Sequence, residues 1–210
     1  MGLENNSNAK FLSIGDGKIT KRVKEPTEKS VTRTTKEGKI VHEEIYDAIS
    51  GLLVDIKTTD HPQYGRFWNI TLSDGEENFI LQMNYSSGYS SAFLKILPNV
   101  DLTSPIRIIP SMKIVEGKKK TSLFISQHGD ALKHAYTRDK PNGLPELQKV
   151  KIKKNGKMTE AWDDNDMMEF LENMVVEQIQ PQLKRSTPVK AEATINKTAT
   201  VSADEEDAPF

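Results

Sequence analysis

Four consecutive carboxylates, Asp204, Glu205, Glu206 and Asp207, run with no base among them into Ala208, Pro209 and Phe210. The chemistry such a segment performs is docking. A row of acids alone is a solvated tail. A phenylalanine displayed behind a proline gains nothing from water, so its placement points to a receptor pocket. The ring enters the pocket, a terminal carboxylate meets Arg or Lys, and the acids steer the approach to a basic rim. Asp204, Glu205, Glu206, Asp207, Pro209 and Phe210 are therefore read as partner-binding, with a plain solvating tail as the competing reading.

Bond-making chemistry finds little support in the residue pattern. Ile14-Gly15-Asp16-Gly17-Lys18-Ile19-Thr20 lacks the third glycine of a dinucleotide fingerprint and is not a Walker loop; it reads as a turn. Asp163-Asp164-Asn165-Asp166 has the acids of a calcium loop, but Met168 stands where the sharp-turn glycine belongs, so helix capping is the better account. The four histidines, His42, His61, His128 and His134, lack ligand spacing. Nothing directs Asp55, Asp60 and Asp74 toward a shared metal. No catalytic residue, metal or cofactor is expected, and a non-enzymatic role is the reading.

Binding to an unpaired nucleic-acid strand needs cations for phosphates and aromatic faces on which bases stack. Both are present. The stacking candidates are Tyr64, Phe67, Trp68, Tyr85, Tyr89 and Phe93. The phosphate candidates are Lys57, Arg66, Lys95, Arg107, Lys113, Lys118, Lys119 and Lys120. Lys149, Lys151 and Lys153 join them, lying on one side of a strand whose other side carries Val150 and Ile152; the bland alternative is a lysine-protected edge strand. Phe67 and Trp68 cannot both face a ligand. The polar neighbours Asn69 and Thr71 favour Phe67 outward and Trp68 in the core; a reversed pleat exchanges them. Phe79, on one face with Leu81 and Met83, reads as core. Tyr64 beside Gly65, and Tyr85 and Tyr89 around a Ser/Gly stretch, read as loop tyrosines.

The elements that must position these residues are mostly strands. Residues 49–56 are rich in Ile, Leu and Val. Residues 66–72 and 78–85 alternate with period two around the turn signal Asp74-Gly75. Residues 105–115 and 121–127 make a further pair joined at Glu116-Gly117, and 14–18 and 154–157 are hairpin candidates. A short helix from Ser90 ends at Pro98. A longer one follows the acids at 163–166, with Met167, Leu171, Met174, Val175 and Ile179 at helical spacing up to Pro181. Five or six strands with one helix between them and one at the end predict a mainly β fold, an OB-type five-stranded Greek-key barrel with extra hairpins and a C-terminal helix.

Composition agrees with one domain plus appendages: 210 residues, 36% apolar and 28% charged, without cysteine. Disulfide frameworks, cysteine zinc sites and thiol nucleophiles are thereby excluded. No apolar run reaches membrane-spanning length and the first residues have no signal-peptide pattern, so a cytoplasmic location without membrane contact is expected. The net charge of −1 hides segregation; without the four acids of the tip it is +3. Residues 18–39 and 133–157 are strongly basic and 158–177 acidic, which suits a chain that touches polyanions with one part and mimics or avoids them with another, ordinary surface patterning being the alternative. Residues 1–9 read as disordered, 10–185 as the nucleic-acid-binding domain, 186–203 as a flexible linker of roughly 20–25 Å root-mean-square span, and 204–210 as the acidic interaction tip.

The ending Asp207-Ala208-Pro209-Phe210 behind its acids, together with this layout, resembles bacterial and phage single-stranded DNA-binding proteins, although Ala208 replaces the larger aliphatic common in bacteria. The resemblance implies a body that coats unwound DNA in replication, recombination and repair, cooperatively or as a homo-oligomer. It also implies a tail that recruits replication and recombination proteins, in a bacterial or phage-infected bacterial cell. A replication-mediator interaction module and an RNA-binding OB protein are the alternatives.

Overall fold

The computed structural model describes residues 9–35, 38–154 and 156–186; the tip and the linker before it lie outside the described residues. The fold is mainly β. Ten strands form one sheet: β1 (Lys10–Gly15), β2 (Lys18–Val23), β3 (Ser30–Thr34), β4 (Ile40–Tyr46), β5 (Ile49–His61), β6 (Gly65–Ser73), β7 (Asn78–Asn84), β8 (Ile106–Val115), β9 (Lys118–Gln127) and β10 (Asp130–Ala131). Their order is β10-β9-β8-β5-β6-β7-β1-β2-β4-β3, and no pairing between β10 and β3 closes the sheet. A separate ribbon pairs β11 (Gln148–Lys154) with β12 (Lys157–Asp163). Helix α1 (Gly88–Ile96) connects β7 to β8, and α2 (Asn165–Met174) continues through a π turn at Val175–Ile179 into α3 (Gln180–Ser186).

Period-two patterning decides which face is core. Trp68, Ile70 and Leu72 of β6 are buried with Leu81 and Met83 of β7, and they meet Ile56 and Leu53 of β5. Leu12 and Ile19 extend this layer onto β1 and β2, and Ile106, Ile108, Leu123 and Ile125 onto β8 and β9. α1 adds Phe93, Leu94 and Ile96, and α2 with its extension adds Met168, Leu171, Val175, Ile179 and Leu183. The methionines at helical spacing are thus core residues.

β5 bends to serve both halves of the sheet. Ile49, Ser50 and Gly51 pair with β8, and the rest pairs with β6 across a register shift between Leu53 and Asp55. Gly51 permits this: a Cβ there would lie 2.9 Å from the carbonyl oxygen of Ser73. The predicted hairpins close on left-handed pairs, Asp16 (φ 49°) with Gly17 (φ 77°) and Glu116 (φ 52°) with Gly117 (φ 72°), as two-residue turns require.

Two expectations are corrected: the main sheet is an open ten-stranded one rather than a five-stranded barrel, and the C-terminal helix extends past Pro181. The helix runs to Ser186 because the π turn just before Pro181 re-spaces the carbonyls its ring would otherwise strike. Part of the basic stretch 18–39 is β structure whose cations meet carboxylates. Arg33 donates two 2.7 Å hydrogen bonds to Glu43, Lys21 pairs with Glu44 at 3.1 Å, and Lys18 pairs with Asp47 at 2.5 Å. Charge pairing across β2, β4 and β3 supplements the little apolar surface these strands bury beyond Ile19.

Candidate nucleic-acid interface

The face opposite the core on β6 and β7 is a shelf of polar and apolar side chains. Phe67 is register partner to Asn84, Asn69 to Gln82 and Thr71 to Ile80. β5 continues the shelf with Lys57 and Thr59, partners of Asn69 and Phe67. β1 continues it on the other side with Phe11 and Ser13, partners of Ile80 and Gln82. Asn69 is fixed at the centre, donating to Thr59 Oγ1 at 2.7 Å and accepting from Gln82 Nε2 at 3.1 Å. Phe67 is half-buried beside it, and Phe11 is 62% exposed.

A second surface lies on β8 and β9. Phe124 is opposite Ile109, 54% exposed, and on one face with Arg107, Lys113, Lys118 and Lys120. These four cations are exposed and none has an ion pair among the described residues. A third exposed aromatic lies on the β5–β6 loop. The His61 ring accepts backbone N–H groups of Gln63 and Tyr64 at 3.2 and 3.3 Å, and its centroid is 4.6 Å from that of Tyr64, which is 59% exposed. The loop thus holds Tyr64 outward. On the ribbon, Lys149, Lys151 and Lys153 share one exposed side, as their alternation requires.

The structure withdraws other candidates. Trp68, Tyr89 and Phe93 are buried and present no ring face to solvent, which corrects their assignment as stacking residues. Tyr89 instead accepts the Gly17 N–H at 2.8 Å, locking α1 to the β1–β2 turn. Tyr85 lies parallel to Trp68, centroids 5.7 Å apart, with the Arg66 guanidinium 4.6 Å from its ring centre. Its hydroxyl donates to Glu172 at 2.7 Å; burial first, and then this carboxylate, push the phenol pKa up. Arg66 donates to Glu172 at 2.5 and 2.8 Å. Arg66 and Tyr85 therefore hold α2 on the sheet rather than contact phosphate and base.

Lys95 is half-buried at the end of α1, where burial lowers its pKa. Lys57 pairs with Asp55 at 3.2 Å in the open, a contact that salt readily screens, and Lys119 pairs with Asp16. Asp163 accepts the Asn165 N–H at 3.0 Å, so it serves the helix start, while Asp164 makes no side-chain cap.

Phe11 was not among the sequence candidates; Phe124 counts among the aromatics the sequence offers for stacking but was not carried into the expected site. The signal for Phe11 was there: Leu12 and Ile14 face inward before the Asp16-Gly17 turn, which puts Phe11 outward. For Phe124, the buried Leu123 and Ile125 on either side give the same indication.

No group of three or more His, Asp or Glu residues that could hold a metal ion occurs among the described residues, and no helix among them is long and apolar enough to cross a membrane. No family model matches the chain, and no curated protein or solved structure matches it.

Proposed function

We propose that this chain is a single-stranded DNA-binding protein that coats unwound DNA during replication, recombination and repair. In this reading it recruits partner enzymes through the acidic segment ending in Phe210. The observation that carries the reading is Phe124, an aromatic ring left in water on the strand face that also carries Arg107, Lys113, Lys118 and Lys120. Burying such a ring is favourable by about 1.5–3 kcal/mol, so an exposed one among unpaired cations suits a ligand that brings both a stacking surface and negative charge.

The strand order supports an OB-type body. Within the sheet, β9-β8-β5-β6-β7 is a five-strand succession with α1 between β7 and β8. It is a Greek-key arrangement in which the chain leaves β7, crosses by the helix and returns beside β5. In this fold the second and third strands and the loops joining strands one to two and four to five meet oligonucleotides. Those parts here are the Phe67–Asn69–Gln82 shelf, the loop carrying Tyr64, and the hairpin leading into Lys118–Lys120. Phe11 extends the shelf by one strand.

The reading is tested by titrating labelled oligo(dT) and following anisotropy with the full chain and with Phe124→Ala. Submicromolar binding that weakens with salt, and weakens about tenfold further in the variant, supports it; absence of binding at low salt, with the acidic tip present or deleted, contradicts it.

A further inference from the structure

Among the described residues the β11–β12 ribbon pairs with no other strand, and an isolated two-stranded hairpin is only marginally stable in water. Yet it carries the largest exposed ring of the described residues. Trp162 is 63% exposed, and Met158 on the same face is 64% exposed. Their register partners are Lys149 and Lys153, with Lys151 between them opposite Glu160. One side of the ribbon is therefore a row of three lysines backed by a tryptophan, a glutamate and a methionine. Glu160 lies 3.6 Å from Lys149, whereas Lys151 and Lys153 have no ion pair among the described residues. The Lys149 ammonium stands 5.2 Å from the Trp162 ring centre, over one face of the indole.

We infer that this ribbon is a separate single-stranded DNA contact, in which Trp162 stacks on a base while Lys149, Lys151 and Lys153 follow the phosphates. The inference rests on the proposed function and adds Trp162 as a stacking surface beside the ribbon lysines, away from the strand face. Alternate lysines on a strand are about 6.6 Å apart, a spacing on the scale of neighbouring phosphates along an extended strand. A base takes the face of Trp162 that Lys149 leaves open, or displaces Lys149 from the ring toward a phosphate. Pairing with the same ribbon of a second copy is the worse fit, since it sets lysines against lysines. A polyanion relieves that repulsion, and indole stacking tolerates any base.

The chain has two tryptophans, and Trp68 is 1% exposed, so quenching of intrinsic fluorescence by an added strand reports on Trp162. Oligo(dT) binding is measured by the anisotropy of a label on the DNA and, in parallel, by tryptophan quenching. We expect quenching in the parent chain and its loss in Trp162→Phe. Trp162→Ala should bind about tenfold more weakly. The Lys149→Ala/Lys151→Ala/Lys153→Ala variant should show a salt slope shallower by about 2. DNA binding by anisotropy with no quenching, and with both variants indistinguishable from the parent, overturns the ribbon site and leaves the proposed function standing. Absence of any anisotropy change in the parent chain overturns both. A triple variant whose sedimentation shows altered self-association, with unaltered oligo(dT) binding and salt slope, assigns the ribbon to a second copy and overturns the inference.

Discussion

Arg66 and Glu172 are joined by two hydrogen bonds of 2.5 and 2.8 Å across 106 positions of chain. The same carboxylate accepts the hydroxyls of Tyr85 and Thr58. One acid thereby fastens the C-terminal helix to β5, β6 and the residue following β7. Charged hydrogen bonds of this kind contribute about 1.5–3 kcal/mol each when a partner is left unsatisfied. Glu172→Ala is expected to lower stability by about 2–3 kcal/mol, read as a reduced urea midpoint at unchanged slope. Loss of oligonucleotide binding with unchanged stability would instead place Arg66 at the interface.

Phe67 and Trp68 are neighbours with opposite fates. Trp68→Ala is expected to destabilise the fold by about 3–5 kcal/mol through the cavity it leaves. Phe67→Ala is expected to shift the melting temperature far less and to weaken oligonucleotide binding by about 1–2 kcal/mol. Thermal melts and anisotropy titrations of both variants check the pair; equal stability losses would reverse the faces assigned to the sheet.

How far the sequence disclosed this arrangement depends on what holds each part. β6 and β7 were legible because Trp68, Ile70, Leu72, Leu81 and Met83 recur with period two, and burial imposes that period. β3 and β4 were not, because no apolar stripe marks them; Arg33 on Glu43 and Thr32 on His42 bind their faces instead. Tyr85 looked like a loop aromatic because the acid that claims its hydroxyl lies 87 positions away. The lysine row of β11 was readable from alternation alone, whereas Trp162 gained meaning only once pairing set it opposite Lys149.

Gly17 has φ 77°, and a Cβ there would lie 2.7 Å from the backbone nitrogen of Met112. Gly17→Ala is expected to cost at least about 1–2 kcal/mol from the left-handed backbone alone, with the contact between the β1–β2 turn and β8 adding to it. Gly15→Ala, which meets nothing within 4 Å, is expected to stay within about 0.5 kcal/mol of the parent. Chemical denaturation of the two variants makes the comparison.

Asp101 accepts the Thr103 hydroxyl at 2.6 Å, the Thr103 N–H at 2.9 Å and the Ser104 hydroxyl at 2.9 Å. Led by the Thr103 hydroxyl, these bonds hold its pKa at about 2 instead of 3.8. A carboxyl depressed by folding contributes stability that is fully present above its unfolded value and is lost as pH falls through the folded one. The melting temperature should therefore fall between about pH 4 and pH 2, and Asp101→Asn should flatten part of that fall. An unchanged acid profile in the variant would show that the turn at 101–104 does not depend on the charge.

The most direct measurement is competition for the full chain among oligo(dT), an RNA oligomer of equal length and a DNA duplex, by anisotropy at low and high salt. The account predicts that the unpaired DNA strand wins over duplex by orders of magnitude and that added salt weakens its binding steeply; the RNA arm reads whether the site distinguishes a 2′-hydroxyl. Equal affinity for duplex and single strand, or no binding at either salt, would contradict it.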